Sequence, residues 1–216
     1  MQLIIGNKRY SSWSFRAWLL LKIARIPFKE TLIYIRKADT AEKIRQYSPG
    51  GRVPVLIDGK VRVWESLAIC EYIAEKFSAK GLWPRDKTAK AIARSVSHEM
   101  HAGFQNLRQN LPCHFLNRYK KFQIPDEVQD DIARILEIWT MARNKCGKGG
   151  PFLFGKFSVA DAMYAPVVFR FLAYGVPVDP ISRQYMKTIE SLSQTQAWVK
   201  AAGKETERIA VYENLK

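Results

Sequence analysis

Gly51-Arg52-Val53-Pro54-Val55-Leu56-Ile57-Asp58-Gly59-Lys60-Val61-Arg62-Val63-Trp64-Glu65-Ser66 is the stretch whose reading decides the fold. Val53 to Ile57 is short, apolar and β-branched, Asp58-Gly59 is a tight-turn dipeptide, and Val61 to Trp64 is a second strand, so the segment reads as a hairpin. Pro54 cannot donate to a strand ladder, which predicts an edge or an irregular entry at that end. Glu65-Ser66 closes the second strand and opens an apolar-periodic helix, Ser66 to about Phe77. A hydroxyl and unpaired backbone N–H groups at a helix start form a natural carboxylate site.

Working toward the N-terminus, Gln2 to Ile5 is a brief apolar strand, and Asn7 to Ser14 is a polar turn with three serines. A helical pattern runs from Phe15 to Ile26 and stops at Pro27. Phe28 to Ile35 reads as a strand and about Thr40 to Tyr47 as a short polar helix. The order βαβαββα is that of an α+β thioredoxin-like domain, expected over residues 1–78. Residues 79–86, with Gly and Pro and no periodicity, read as a linker. Beyond it, Lys87 to Asn110, Asp126 to Cys146, Ser158 to Ala173, Ile181 to about Glu190 and Thr195 to Ala202 read at helical period, giving an all-α domain over 87–216.

Within that second part, Ser158 followed by Asp161 predicts a structural capping box. The run behind it, Ala162 to Phe169, is apolar nearly all round, so its helix should be central.

Composition narrows the function. The 216 residues are 47% apolar and 12% aromatic, which is globular. No run approaches a membrane span, and the N-terminus lacks a secretory pattern. Cys70, Cys113 and Cys146 are odd in number and widely spaced, against a disulfide framework or a zinc site. A reducing compartment, the cytoplasm, is the expectation. The net charge of +15 is spread, with 15 basic and 7 acidic residues up to position 80 and 20 and 13 after it. No dense basic cluster or tail exists, so we read a solvated basic surface that steers small anions, not a nucleic-acid site.

Ser11-Ser12-Trp13-Ser14-Phe15-Arg16, Arg52-Val53-Pro54-Val55-Leu56, Trp64-Glu65-Ser66-Leu67-Ala68-Ile69 and Phe157-Ser158-Val159-Ala160-Asp161 together resemble the cytosolic glutathione transferases, in the expected order and nearly along the whole chain. The serine turn is most similar to the zeta class and its bacterial relatives, which include maleylacetoacetate isomerases. Those carry Ser-Ser-Cys before the helix, whereas Trp13 stands in the place of that cysteine here.

The resemblance implies glutathione as co-substrate and a homodimer; the residues themselves, by spacing, charge distribution and hydropathy, point to no metal and to no nucleic-acid or membrane partner. It implies that Ser12, with Ser11 the second choice, donates to the glutathione sulfur over a helix N-terminus and favours the thiolate. Ser14 is expected as an ordinary helix cap and Arg16 as a structural ion-pair partner. A cis Val53–Pro54 bond is implied, holding the peptide by the Val53 backbone as in strand addition. Ser66 would take the γ-glutamyl carboxylate, Glu65 the amino group, and Lys43 or Arg52 the glycyl carboxylate.

Trp13, His98, His101, Gln105, Arg108 and Tyr164 are the candidates for the second-substrate cleft, on the view that residues 98, 101, 105 and 108 share one face of one helix. Phe104 lies in the same region, and Cys70 is expected as an inert core thiol. Three functions follow: a transferase acting on an electrophilic small molecule, a glutathione-dependent cis–trans isomerase of the maleylacetoacetate type, or a non-catalytic transferase-like binding protein.

Overall fold

The computed structural model describes residues 1–119 and 122–213; the last expected helical-domain residues, 214–216, lie outside them. The first part runs β1 (Gln2–Ile5), α1 (Ser12–Ile23), β2 (Lys29–Leu32), α2 (Thr40–Arg45), β3 (Val55–Asp58), β4 (Val61–Trp64) and α3 (Ser66–Lys76). The sheet order is β2-β1-β3-β4, with β1 and β2 parallel and the β1–β3 and β3–β4 pairs antiparallel. This is the thioredoxin-like arrangement. Its hairpin closes one residue later than the sequence suggests. Asp58 pairs with Val61, so Gly59 and Lys60 form the turn, and Gly59 adopts the left-handed φ of 59° that glycine tolerates.

Pro54 lies just outside β3, an interior strand, and makes the irregular entry that its missing N–H predicts. β2 is shorter than expected. Beyond Leu32 the chain keeps one ladder bond, Ile33 N–H to the Ile5 carbonyl (2.9 Å), then turns to meet the Asn7 side chain.

The second part is helical: α4 (Lys87–Ala102), α5 (Gln105–Asn110), α6 (Gln129–Lys145), α7 (Val159–Tyr174), α8 (Pro180–Ser191), α9 (Ser193–Lys204) and α10 (Ala210–Glu213). The expected helix from Lys87 to Asn110 is two helices. Gly103 caps α4, its N–H bonding the Glu99 carbonyl (2.8 Å), and Phe104 takes a left-handed φ of 60° with its side chain buried. Helix period is overridden here by tertiary context, with the ring buried in the core.

The central helix is α7, buried on every side except Leu172, and it packs on α1, α3, α4 and α8. Its start carries the capping box. The Asp161 carboxylate accepts from the Ser158 N–H (2.8 Å) and hydroxyl (3.0 Å), and from the Leu153 N–H (3.0 Å). Burial pushes the Asp161 carboxyl up to about 6, against the Leu153 and Ser158 donors that favour its ionised form. Cys70 is fully buried and burial raises its thiol to about 12, leaving an inert core residue. Among the described residues, no helix is long and apolar enough to cross a membrane.

Candidate functional site

The turn before α1 is locked by backbone groups and by distant side chains. Asn7 accepts the Ser11 N–H on its carbonyl (2.8 Å) and the Ile35 N–H on its side chain (2.8 Å). From the far end of the chain, the Trp198 indole donates to the Lys8 carbonyl (2.9 Å), and the Glu205 carboxylate accepts from the Lys8 and Arg9 N–H groups (2.7 and 3.1 Å). Gly6 sits where a Cβ would come within 2.9 Å of the Ile35 side chain and 3.1 Å of the Val53 side chain. Its missing side chain lets the serine turn lie against Val53.

The three serines divide their work. Ser11 is the N-cap of α1, accepting from the Ser14 N–H (3.3 Å) and donating to the Ser14 hydroxyl (2.8 Å). Ser14 is therefore not the cap. It is fully buried one turn in, where its hydroxyl accepts the Gly6 N–H (3.0 Å) and ties α1 to the end of β1. The Ser12 hydroxyl and the Trp13 N–H make no hydrogen bond to the described residues. Ser12 thus offers an uncommitted hydroxyl at a helix N-terminus, where unpaired N–H groups and the helix dipole favour an anion.

Arg52, Val53, Pro54, Glu65 and Ser66 line one hollow of about 750 Å³ together with Trp13 and His101. The Val53–Pro54 bond is cis. Val53 N–H and C=O bond to none of the described residues, so a strand-like peptide can pair with them. Glu65 holds φ at 67°, a left-handed value that a non-glycine residue adopts at a cost and that concentrates at binding sites. This conformation closes β4 and sets Ser66 as the first residue of α3. The Ser66 hydroxyl is completely buried and has no partner. A buried polar group of this kind is uncommon unless a ligand satisfies it.

Lys43 is elsewhere. It pairs with Asp39 (2.6 Å) and lines a different hollow with Leu32, Tyr34 and Tyr47. Arg52 carries no ion pair among the described residues and lines both the hollow of Val53 and Ser66 and a neighbouring one, so of the two cations only Arg52 is at the site.

Trp13 is the hinge of the cleft. Its ring lies 4.5 Å from the Arg16 guanidinium carbon, 4.7 Å from that of Arg108 and 5.3 Å, edge to face, from the His101 ring. Arg16 has no carboxylate partner among the described residues, contrary to the ion-pair expectation. It is buried, donates Nε to the Met163 carbonyl of α7 (3.1 Å) and leaves Nη1 unpaired. Burial holds its pKa well below the ordinary value, and Arg108 and Arg170 push the same way.

The expected shared face of residues 98, 101, 105 and 108 is broken by the Gly103–Phe104 interruption. His98 is exposed and bonds its own helix at Arg94. Gln105 is exposed and donates to the Ala102 carbonyl (3.2 Å). His101 faces the hollow, 3.6 Å from the Glu65 carboxylate, and burial lowers its pKa. Arg108 caps α4, donating to the carbonyls of Gly103 (2.9 Å), Met100 and His101. Tyr164 does not reach the cleft: it is fully buried and donates to the Val96 carbonyl (3.1 Å), joining α7 to α4.

A second hollow, of about 390 Å³, shares Trp13, Arg52 and Val53 with the first and holds Ser12. Tyr10, Arg108, Arg170 and Tyr212 complete its walls. Sequence reasoning missed Tyr10, Arg170 and Tyr212. Arg170 had a signal, a lone charge in the apolar run of α7, but Tyr212 had none because it comes from the chain's far end.

The glutathione S-transferase N-terminal domain family matches residues 10–76, and the glutathione S-transferase C-terminal domain family matches residues 125–203. The chain belongs to the cytosolic glutathione transferase superfamily. It is 43% identical over 61 residues to the dichloromethane dehalogenase of Methylorubrum extorquens, covering 27% of this chain and 21% of that one. It is 29% identical over 109 residues to the probable maleylacetoacetate isomerase of Caenorhabditis elegans, half of each chain. The chain thus spans between a fifth and a half of these relatives' lengths. The fold is also that of a glutathione transferase homolog from Burkholderia GL BGR1 with bound glutathione, at a TM-score of 0.71 and 23% identity, covering 94% of this chain and 98% of that one.

Proposed function

We propose that the protein is a serine-type glutathione transferase. Glutathione occupies the larger hollow, its backbone paired with Val53, its γ-glutamyl carboxylate on Ser66, its amino group facing Glu65 and its glycyl carboxylate facing Arg52. Its sulfur lies over the start of α1, where Ser12 donates to the thiolate and the helix N-terminus stabilises its charge. The thiolate attacks an electrophilic carbon held in the smaller hollow. The observation that carries this reading is the idle Ser12 hydroxyl in the smaller hollow, next in sequence to Trp13, which lines both hollows, and beside a Ser11 hydroxyl already engaged with Ser14.

The test is glutathione titration and conjugation assays on wild type and Ser12→Ala. Losing a hydrogen bond to a charged sulfur lowers turnover about 10- to 100-fold at neutral pH and raises the pKa of the bound thiol, with affinity nearly kept. A wild type that fails to bind millimolar glutathione ends the enzyme reading. Binding without turnover of any electrophile supports the binding-protein alternative. The isomerase alternative is weakened at Trp13, which fills the cysteine's place and is packed between two arginines.

A further inference from the structure

The smaller hollow carries positive charge that the fold itself does not neutralise. Arg170 lines it, is 5% exposed, and donates one nitrogen to the Leu111 carbonyl (3.3 Å). Its remaining nitrogens bond to none of the described residues. Arg108 lines it from the other side, using Nε and one terminal nitrogen on the end of α4 and leaving Nη1 free. Neither arginine lies within ion-pair distance of a carboxylate among the described residues. Asp131 acts on Arg108 from a distance, but its carboxylate is held by the Leu107 N–H (2.9 Å). Burial brings the Arg108 guanidinium down to about 10, and Arg170 pushes the same way. Burying charges unpaired is costly unless an anion completes the site. The same hollow is lined by Tyr10, Trp13 and Tyr212 together with Ile35, Ile44 and Pro112, and the three rings offer flat surfaces that suit another ring.

Resting on the transferase reading above, we propose that the second substrate is an aromatic carboxylate. Its carboxylate meets Arg108 and Arg170, its ring packs among Tyr10, Trp13 and Tyr212, and its electrophilic carbon faces the sulfur beside Ser12. With a chloroarene as the probe, the step is aromatic substitution. The thiolate sulfur forms a bond to the ring carbon, the carbon–chlorine bond breaks, and chloride leaves with the bonding pair. The thiol proton goes to solvent and nothing is oxidised or reduced.

The probes are 4-chloro-3-nitrobenzoate and its neutral methyl ester, each kcat/KM divided by the uncatalysed rate with glutathione. Wild type should favour the benzoate by about tenfold or more, the scale of charge-assisted hydrogen bonds. Arg170→Gln should bring the benzoate-to-ester ratio down to about one, and Arg170→Lys should restore part of the preference. Equal normalised rates in wild type, or an Arg170→Gln defect shared equally by both probes, overturns the proposal.

Should Arg170→Gln fail to fold, wild type alone decides. Unreactive 3-nitrobenzoate should compete with the ester while 3-nitrobenzamide does not, and salt should weaken that competition. Equal competition by the two overturns the proposal. Binding of 3-nitrobenzoate with neither chloro compound turned over would keep the anion site and sink the transferase reading. Turnover of both without preference would do the reverse.

Discussion

Around the serine turn and the hairpin the candidate binding groups stand idle, whereas Asp161 and Tyr164, in the helices away from the cleft, are engaged. Ser12 Oγ, the Val53 backbone and Ser66 Oγ have no partner among the described residues. Asp161 takes three donors and Tyr164 bonds Val96, while Arg108, at the edge of the cleft, spends two nitrogens on the end of α4 and keeps Nη1 free. The first set keeps its hydrogen-bonding capacity for a ligand; Asp161 and Tyr164 use theirs to hold helices together. Removing an engaged group should therefore cost stability, and removing an idle one should cost function with the fold intact.

The harshest break of this contrast is Asp161→Ala. It orphans the buried Leu153 and Ser158 N–H groups and should lower stability by about 2–5 kcal/mol by denaturant titration, with glutathione affinity of the folded fraction unchanged. Ser12→Ala is its opposite, moving turnover by the factor given above while the melting midpoint stays put. Ser66→Ala sharpens the comparison further. Deleting a buried, unpartnered hydroxyl should leave stability equal or slightly higher, yet weaken glutathione binding about tenfold or more through the lost carboxylate contact. An Ser66→Ala protein that melts lower and binds normally would place Ser66 on the structural side. Glu65→Gly relieves a left-handed φ and should stabilise by about 1 kcal/mol, while calorimetry shows weaker glutathione binding.

The smallest effect concerns the segment that closes the cleft. His114 Nδ1 accepts from the Leu116 and Asn117 N–H groups (3.1 and 3.0 Å), so its proton sits on Nε2, facing Glu213 at 3.2 Å. Burial lowers its pKa below the ordinary 6.5. The neutral ring's contribution is thus present above 6.5 and lost as pH falls through the lowered value. Tyr10, pushed up to about 12 chiefly by burial, bonds the same Glu213 and stays neutral throughout. Protection from hydrogen exchange, referred to the intrinsic rate at each pH, should therefore fall over residues 205–213 on acidification, with little change in β1–β3.

Much of the fold was legible because its signals are local. Gly59 permits the hairpin turn, and Ser158 with Asp161 marks the start of α7, whereas α1 runs from Ser12 to Ile23 and not from Phe15 to Ile26, its chain leaving the helix at Arg25 with a left-handed φ of 55° before Pro27 is reached. Legibility failed where one residue obeyed a distant contact. Gly103 was visible as a helix-ending residue, but Phe104 leaves the helix to bury its ring, and that broke the presumed face of residues 98 to 108. Ser11, Ser12 and Ser14 could be counted but not sorted, because their roles depend on hydrogen bonds made by Gly6 and Asn7 at the start of the turn and on Glu205 reaching it from the far end of the chain.

The sequence by itself determined the order of elements, the family, and the short motifs that turn toward the cleft. Hydrophobic period, turn chemistry and caps act over a few residues and can be read from them. Only the tertiary structure decided which groups are spent and which are free. That choice put Lys43 and Tyr164 outside the site, made Ser14 a tie and Arg108 a cap, and brought Arg170 and Tyr212 to Ser12. The physical reason is that a hydrogen bond or an unpaired charge depends on neighbours in space, and those neighbours lie up to 203 positions away along the chain, as between Tyr10 and Glu213.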